Sequence, residues 1–167
     1  MSSTAEHKKI AYFHASRYGN GAKVAEEFRR LMAERGVEVA VRHIKRARPK
    51  EMPPADLYLF SCPGRMGKPK GNMRRFIKKV QLPAGTRCAV LTTEGAPRPD
   101  PKTGKMPDPA EHDKWQRVTP ILLEFLRNRG LTIVADGKVL VTGMKGPLEA
   151  GWEQKVAAYV ETLAPLV

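Results

Sequence analysis

The chain has 167 residues, of which 41% are hydrophobic, and this length suits one globular domain that buries roughly two thirds of its unfolded surface. The formal net charge is +13 and only two cysteines are present, which excludes a disulfide-stapled fold and a Cys-rich metal site. We expect a single domain over 1–167, in which residues 1–8 form a flexible N-terminus. The N-terminal residues lack the apolar stretch of a signal peptide, and no run approaches the roughly 18 apolar residues of a membrane span, so we expect a cytoplasmic protein.

Apolar runs bounded by turn residues predict five strands. Four of these runs are short and continuous or alternating, and they cover residues 10–13, 37–44, 57–60 and 88–91. The fifth extends over 131–142, and we expect a turn or a bulge to break it at Asp136-Gly137. The segment 45–54 between the second and third strands is basic and contains proline, which predicts a loop or at most a short turn of helix.

Apolar residues at helical spacing predict helices over 20–35, 73–80, 115–130 and 149–163. Pro120 interrupts the third of them. Either that helix kinks at the proline, or a new helix starts there with Thr119 as its cap and Pro120 at its first position. The segment 96–109 holds five prolines and predicts a long surface loop.

Strands that alternate with helices in a chain of this size imply an α/β fold with a doubly wound parallel sheet. Ligands of such sheets bind outside the carboxyl ends of the strands. Three Gly-containing segments are expected at that edge: Ala15 to Gly21, Cys62 to Gly67, and Thr92 to Gly95. The first of these runs from a strand into a helix, so its backbone N–H groups and the helix dipole suit a phosphate monoester, although an ordinary turn would need the same residue types.

The chain resembles the flavodoxin family over nearly its whole length. The phosphate loop is similar to the Tyr-Gly-Asn variant of the oxidase and quinone-reductase relatives, and its residues are Ser16, Arg17, Tyr18, Gly19, Asn20 and Gly21. A second segment is similar to the turn that lies along the isoalloxazine ring, with Pro63, Gly64, Arg65, Met66 and Gly67. The third flavin loop corresponds to Thr92, Thr93, Glu94 and Gly95, and 143–148 also resembles a turn of these relatives.

The resemblance implies a five-stranded sheet of order 2-1-3-4-5 with helices on both faces, and FMN as the cofactor. The chain departs from the family in two respects. Gly21 stands where a Thr is usual, which removes a hydroxyl donor to the phosphate. Neither the second nor the third segment supplies a Tyr or Trp to stack on the ring, so Tyr18, Met66 or a side chain of a partner would take that role. Arg65 beside the ring would favour the anionic reduced flavin.

Three functions follow, in order of preference. The first is an FMN-dependent carrier that exchanges electrons with an acidic redox protein, and the second is a small NAD(P)H-dependent quinone-type reductase or oxidase with a pocket under the 96–109 loop. The third is a basic module without flavin that binds nucleic acid or another polyanion. It ranks last because the basic segment 65–79 contains a single aromatic residue, Phe76, whose spacing assigns it to the core.

The remaining conspicuous residues have structural interpretations. His14 ends an apolar strand and is expected to be a structural histidine, while His7, His43 and His112 are scattered and form no metal-ligand pattern. Glu94 is expected to be an exposed loop carboxylate. The two cysteines are expected to be small buried residues. The segments 42–50 and 65–79 contain twelve basic residues and no acid, against a net charge of +13, and are either solvated faces or a docking surface.

Overall fold

A computed structural model describes residues 7–167 of the chain. Residues 1–6 of the expected flexible N-terminus lie outside the described residues. Lys8 already belongs to the first strand, and His7 contacts Glu38 through a 3.0 Å Nε2···Oε2 pair, so the boundary expected at residue 8 is too late.

The described residues form one five-stranded parallel sheet of order β2-β1-β3-β6-β7. A two-stranded antiparallel hairpin, β4 and β5, follows β3. The predicted strand order is therefore confirmed, since the hairpin strands lie outside the main sheet. The bounds of the strands are Lys8–His14 (β1), Val37–His43 (β2), Leu57–Ser61 (β3), Gly64–Arg65 (β4), Lys68–Pro69 (β5), Arg87–Gly95 (β6) and Thr132–Val141 (β7).

Helices cover both faces of the sheet, and two 3₁₀ turns, 44–46 and 164–166, complete the regular structure. The 3₁₀ turn at 44–46 matches the short helical turn expected in the basic segment. The bounds of the α-helices are Asn20–Ala33 (α1), Gly71–Lys79 (α2), Pro109–Trp115 (α3), Val118–Asn128 (α4) and Trp152–Leu163 (α5).

Strand alternation divides the apolar core into two layers. Ile10 and Tyr12 of β1 point to one layer, where α1 and α5 pack, while Ala11 and Phe13 point to the other, where α2 and α4 pack. All four of these residues are buried, as are their neighbours on β3. A sheet covered on both faces has only its edges open, which leaves the carboxyl-end loops as the place for a ligand.

The interpretation of Thr92–Gly95 as a loop is wrong, because β6 continues to Gly95. Its last residues pair in register with β7, from Thr92 opposite Lys138 to Gly95 opposite Val141. On the other side, Pro63 bridges to Thr93. Backbone partners on both sides extend the strand beyond its apolar run.

The break expected at Asp136-Gly137 is also wrong. Strand β7 is continuous there, and the irregularity lies at Val134, where the pairing shifts from Cys88–Ile133 to Ala89–Ala135. Gly137 has another reason to be glycine: a Cβ at that position would lie 2.7 Å from the Tyr159 ring. Glycine at this position allows helix α5 to pack closely, and it does not mark a turn.

The helix predicted over 115–130 corresponds to α4, while Trp115 ends a separate helix, α3, and Gln116-Arg117 separates the two helices. The alternative with a new helix is thus closer to the structure, but Arg117 is the N-cap and Pro120 is the third residue of α4. A proline is tolerated there because N–H groups in the first turn have no intrahelical acceptor. The last helix starts three residues later than expected, since Glu149 instead bonds the backbone N–H of Leu140 at 2.6 Å.

Candidate functional site

The loop between β1 and α1 ends in an open helix N-terminus. Gly19, with φ +92°, is the N-cap, and no side chain caps the helix. The first intrahelical bond runs from Lys23 N–H to Gly19 O at 3.0 Å. The N–H groups of residues 20–22 therefore have no acceptor within the helix, and the first turn contains no acidic residue. These features are what an external anion needs at a helix dipole.

The same loop is folded back on itself around Ser16. The Ser16 hydroxyl accepts the N–H of Gly19 at 3.2 Å, and its own proton remains available to donate. Gly21 is buried, and its φ is not in the left-handed region. A Cβ at Gly21 would approach Ser16 Cβ to 3.1 Å, so the glycine is favoured by the close approach of the loop to the helix.

Contacts from β2, β3 and the start of α2 hold this loop in place. Its start is bonded to β3 through Ala15 N–H and Ser61 O at 3.2 Å. Lys70 Nζ donates to Ala15 O at 3.3 Å from the end of the hairpin. His43, at the end of β2, donates to Ser16 O at 3.0 Å. Contacts from three separate elements thus fix the loop, which preorganises it for a ligand.

The predicted ring segment is the hairpin β4–β5, and its tip is exposed. Gly64, Arg65 and Met66 all face solvent, and Met66 has φ +52°. The α3–α4 junction holds the hairpin in place. Arg117 N–H bonds Gly67 O at 2.6 Å, and a Cβ on Gly67 would lie 2.0 Å from Trp115 O. One side of the hairpin is therefore covered by the α3–α4 junction.

The carboxyl end of β6 carries a buried carboxylate. Glu94 is 2% exposed, so the expectation of an exposed loop carboxylate is wrong. Its Oε1 accepts the Thr119 hydroxyl at 2.5 Å, the Thr119 N–H at 3.3 Å and the Thr92 hydroxyl at 3.2 Å. Lys138 Nζ lies 3.6 Å from Oε2. Glu94 thus ties β6 to the start of α4, which is the element that supports the hairpin.

Gln116 lies between the hairpin and the end of β6, where the sequence predicts the ring. Its amide donates to Gly95 O at 3.3 Å. Its Oε1 is buried and has no hydrogen-bond partner among the described residues. Such an acceptor is costly unless a ligand or water donates to it. Sequence reasoning did not identify Gln116, because nothing local indicates that the α3–α4 junction returns to this place.

The loop after β7 joins the site beside Tyr18. Asn20 Nδ2 donates to Lys145 O at 3.1 Å, and Lys145 Nζ lies 5.6 Å from the centre of the Tyr18 ring. Arg17 Cζ lies 5.2 Å from the centre of the same ring. The 143–148 turn singled out in the sequence is therefore adjacent to the phosphate loop.

Positive charges converge on this edge of the sheet. The pKa of Lys70 is lowered from its usual value, first by burial and then by the charges of Lys45, Arg17 and Arg65. Among the described residues, no ion pair involves any of these four cations. These four cations are thus available to attract an external anion, because no carboxylate of the described residues pairs with them.

His14 and His43 form a pair beneath the phosphate loop. They are register partners at the ends of β1 and β2, and their ring centres are 5.0 Å apart in an edge-to-face arrangement. Each Nδ1 accepts a backbone N–H, from Ser16 and Lys45 respectively, which assigns the neutral Nε2–H tautomer to both. Burial, and next the neighbouring His43, lower the pKa of His14 to about 4. Both histidines therefore contact the phosphate loop at Ser16, His14 through the N–H and His43 through the carbonyl oxygen.

Both cysteines are buried, as expected. Burial raises the pKa of the Cys62 and Cys88 thiols to about 12. Neither is a thiolate near neutral pH, so neither supplies a reactive nucleophile.

Comparison with known proteins identifies the architecture. No protein-family model and no curated protein matches the chain. Solved structures do match. Flavodoxin 2 from Bacillus cereus superposes with a TM-score of 0.70 at 19% identity over 95% of this chain and 99% of that one. The chain has a flavodoxin-like fold.

Two further structures agree with this assignment. A flavodoxin from the domain Archaea has a TM-score of 0.70 at 16% identity, over 95% of this chain and 97% of that one. Rubredoxin oxygen:oxidoreductase from the anaerobe Desulfovibrio gigas has a TM-score of 0.65 at 15% identity, over 96% of this chain but only 37% of that one. The flavodoxin-like fold thus occurs both as a whole protein and as part of a larger one. At these identities the comparisons establish the fold alone.

Proposed function

We propose that the protein binds FMN at the carboxyl edge of the sheet and uses it to transfer electrons. The observation that carries this proposal is the open N-terminus of α1. The N–H groups of residues 20–22, which have no acceptor within the helix, and the Ser16 hydroxyl lie at the positive end of the helix dipole, and Arg17 belongs to the same loop. A compact nest of this kind fits the phosphate of a mononucleotide, and it lacks the Gly-x-Gly-x-x-Gly arrangement of dinucleotide sites.

The ring of the flavin would lie along the exposed tip of the hairpin, near the predicted residues Pro63 to Gly67. The buried Gln116 Oε1 supports this position, because it is an unpartnered acceptor at the junction of the hairpin and Gly95. The residues 92–95 contribute from within β6, where Thr93 N–H bonds Cys62 O at 3.2 Å and positions the hairpin. We propose that residues 92–95 contact the cofactor from the end of this strand, and not from a free loop.

Bound FMN supplies hydride and single-electron chemistry, and the residues of the chain set its environment. Arg65 on the hairpin, together with Lys70, would stabilise added negative charge and raise the reduction potential. The exposed tip gives a partner direct access to this place. His43 positions the phosphate loop through its bond to Ser16 O.

The partner would be negatively charged, since the loops at this edge are basic. The acidic redox protein predicted from the sequence is one such partner and stays a proposal. Among the described residues, no helix is long and apolar enough to cross a bilayer.

A small NAD(P)H-dependent reductase is the second candidate. Trp115, the last residue of α3, lies against Gly67 of the hairpin, and Gln116 bonds Gly95 at the end of β6, so a nicotinamide pocket would have to form beside this junction. Such an enzyme would consume NADPH or NADH with a quinone as acceptor, whereas a pure carrier would be reduced by neither.

Visible absorption spectroscopy tests the proposal. Protein incubated with FMN and then desalted should remain yellow, with flavin bands shifted from those of free FMN. Addition of NADH or NADPH under anaerobic conditions separates the two candidates, since bleaching indicates a reductase and an unchanged spectrum indicates a carrier. A colourless protein after desalting, with unshifted bands before it, would contradict FMN binding.

A further inference from the structure

Five of the six exposed large apolar side chains of the described residues lie on segments that follow the carboxyl ends of β1, β3, β6 and β7. Met66 is 80% exposed and Met144 is 74% exposed, on the loops after β3 and β7. Three others are between 46% and 57% exposed: Tyr18 on the loop after β1, Met106 on the loop after β6, and Trp115 at the end of α3, which follows that loop. The sixth exposed large hydrophobic residue of the described part, Leu166, lies at the opposite edge, where its carbonyl contacts Arg87 at the start of β6.

Each of these five apolar residues is next to an exposed cation in the sequence. The neighbouring cations are Arg17, Arg65, Lys105, Lys114 and Lys145. None of them forms an ion pair among the described residues. The segments 15–19, 62–70 and 142–148 contain no acidic residue at all. By contrast, arginines on the side of the molecule are neutralised, as for Arg29 with Glu26 and Arg30 with Glu27 on α1.

Contacts place four of the five apolar residues in two groups that flank the proposed cofactor site. The Tyr18 ring lies between Arg17 and Lys145, at 5.2 and 5.6 Å, with Met144 next to Lys145. At the hairpin, the place of a Cβ on Gly67 is 3.4 Å from Cδ2 of the Trp115 ring, with Met66 next to Gly67. Each group therefore combines an apolar side chain that projects into solvent with unpaired positive charge.

We propose that this edge docks on the surface of an anionic lipid bilayer. Met66, Trp115 and Met144 would enter the headgroup region, while the adjacent cations contact lipid phosphates. Protrusions on four separate loops suit a fluid surface, because a protein partner would need a matching pocket for each of them. The absence of acid from three of the loops matches a surface of uniform negative charge. The inference goes beyond FMN binding and does not depend on it, but it would place the proposed redox site against lipid.

Vesicle sedimentation of the full chain tests the proposal. The protein should bind vesicles in which roughly a third of the lipid is phosphatidylglycerol, and not vesicles of phosphatidylcholine alone. A Lys114→Gln and Lys145→Gln double variant should bind about 25-fold more weakly, at about fivefold for each cation near the surface. A Trp115→Ser and Met144→Ser double variant keeps the charge, but its affinity for the vesicles should still be lower by roughly tenfold or more, since it lacks most of the inserted apolar area.

Leu166→Ser is the matched control, because it removes an exposed apolar residue from the opposite edge and should leave vesicle binding unchanged. Brominated lipids should quench the fluorescence of the parent protein and not that of Trp115→Phe. Circular dichroism of each variant establishes that it is folded. FMN titration of the same samples separates the two proposals: vesicle binding without FMN binding would overturn only the proposed function.

Three results would overturn the docking proposal. The first is no binding to anionic vesicles by a folded protein. The second is vesicle binding that is insensitive to Trp115→Ser and Met144→Ser, which would indicate charge attraction alone. The third is an affinity for soluble polyglutamate as high as that for the vesicles, if the Trp115→Ser and Met144→Ser double variant lowers it as well. That result would favour an acidic protein as the occupant of this edge.

Discussion

His43 donates its Nε2–H to the carbonyl oxygen of Ser16, 3.0 Å away, although the two residues are 27 positions apart in the sequence. The bond connects the end of β2 to the loop that would hold the phosphate. We expect His43→Ala to release this loop and to weaken FMN binding by about 2-fold to 10-fold, which corresponds to a neutral hydrogen bond of about 0.5–1.5 kcal/mol. Fluorescence titration of FMN measures the effect. His7→Ala is the control, and equal affinities of His43→Ala and the parent would contradict a positioning role for His43.

The buried imidazole of His14 makes folding stability depend on pH. Its pKa is lowered to about 4 by burial and by His43, with Glu26 acting in the opposite direction, whereas an unfolded histidine titrates near 6.5. Between pH values of about 4 and 6.5, His14 is therefore protonated in the unfolded state and not in the folded state. The free energy of unfolding should therefore fall as pH decreases from about 6.5 to about 4, by at most about 3 kcal/mol.

Urea unfolding at a series of pH values measures this dependence. His14→Asn keeps an acceptor for Ser16 N–H but does not titrate, so its stability should fall less over the same interval. His112→Asn, on α3, is the control and should retain the full dependence. Parallel curves for the parent and His14→Asn would show that His14 is not the titrating group.

Gly21 tests whether a hydroxyl at this position contributes to phosphate binding. The backbone there does not require glycine by its φ, but a Cβ would approach Ser16 Cβ to 3.1 Å. Gly21→Ala introduces this contact alone, whereas Gly21→Thr adds a donor as well. We expect the Thr variant to bind FMN roughly tenfold or more tightly than the Ala variant, since a bond to a charged group contributes about 1.5–3 kcal/mol. Equal affinities of the two variants, measured by calorimetry, would show that the hydroxyl does not reach the phosphate.

Gly67 anchors the hairpin through close packing. It has φ +72°, and a Cβ would lie 2.0 Å from Trp115 O, whereas Gly104 has φ +68° with nothing within 4 Å. Gly67→Ala should therefore cost about 2–4 kcal/mol of stability, and Gly104→Ala only about 1 kcal/mol from the left-handed backbone. Urea unfolding of both variants isolates the packing contribution. A Gly67→Ala variant as stable as Gly104→Ala would contradict the contact between the hairpin and the α3–α4 junction.

The sequence predicted the parts of the fold that depend on local pattern. Apolar runs and helical spacing located the strands and most helices, and the order of the sheet followed from the resemblance and is confirmed. The errors occur where distant segments decide the local structure. Thr92 to Gly95 is polar enough to indicate a loop, but β7 and Pro63 provide backbone partners on both sides. Glu94 is buried because Thr119, 25 residues later, returns to bond it.

The candidate site was predicted only in part for the same reason. Ser16 to Gly21 was identifiable because a strand, a glycine-rich turn and a helix follow each other directly. His43, Lys70 and Gln116 reach the site through strand register or through the α3–α4 junction, and no local motif marks them. The register of β1 with β2 pairs His14 with His43, so the strand order together with a register would have found that histidine pair.

Calorimetric titration with FMN and with riboflavin tests the central claim most directly. The two ligands share the isoalloxazine ring and differ in the phosphate that the open N-terminus of α1 is proposed to bind. We expect FMN to bind with a Kd in the micromolar range or lower, and riboflavin at least about 100-fold more weakly, because it forms none of the charge-assisted bonds with residues 16–22. Equal affinity for the two ligands, or no heat with FMN, would contradict a phosphate site at this loop.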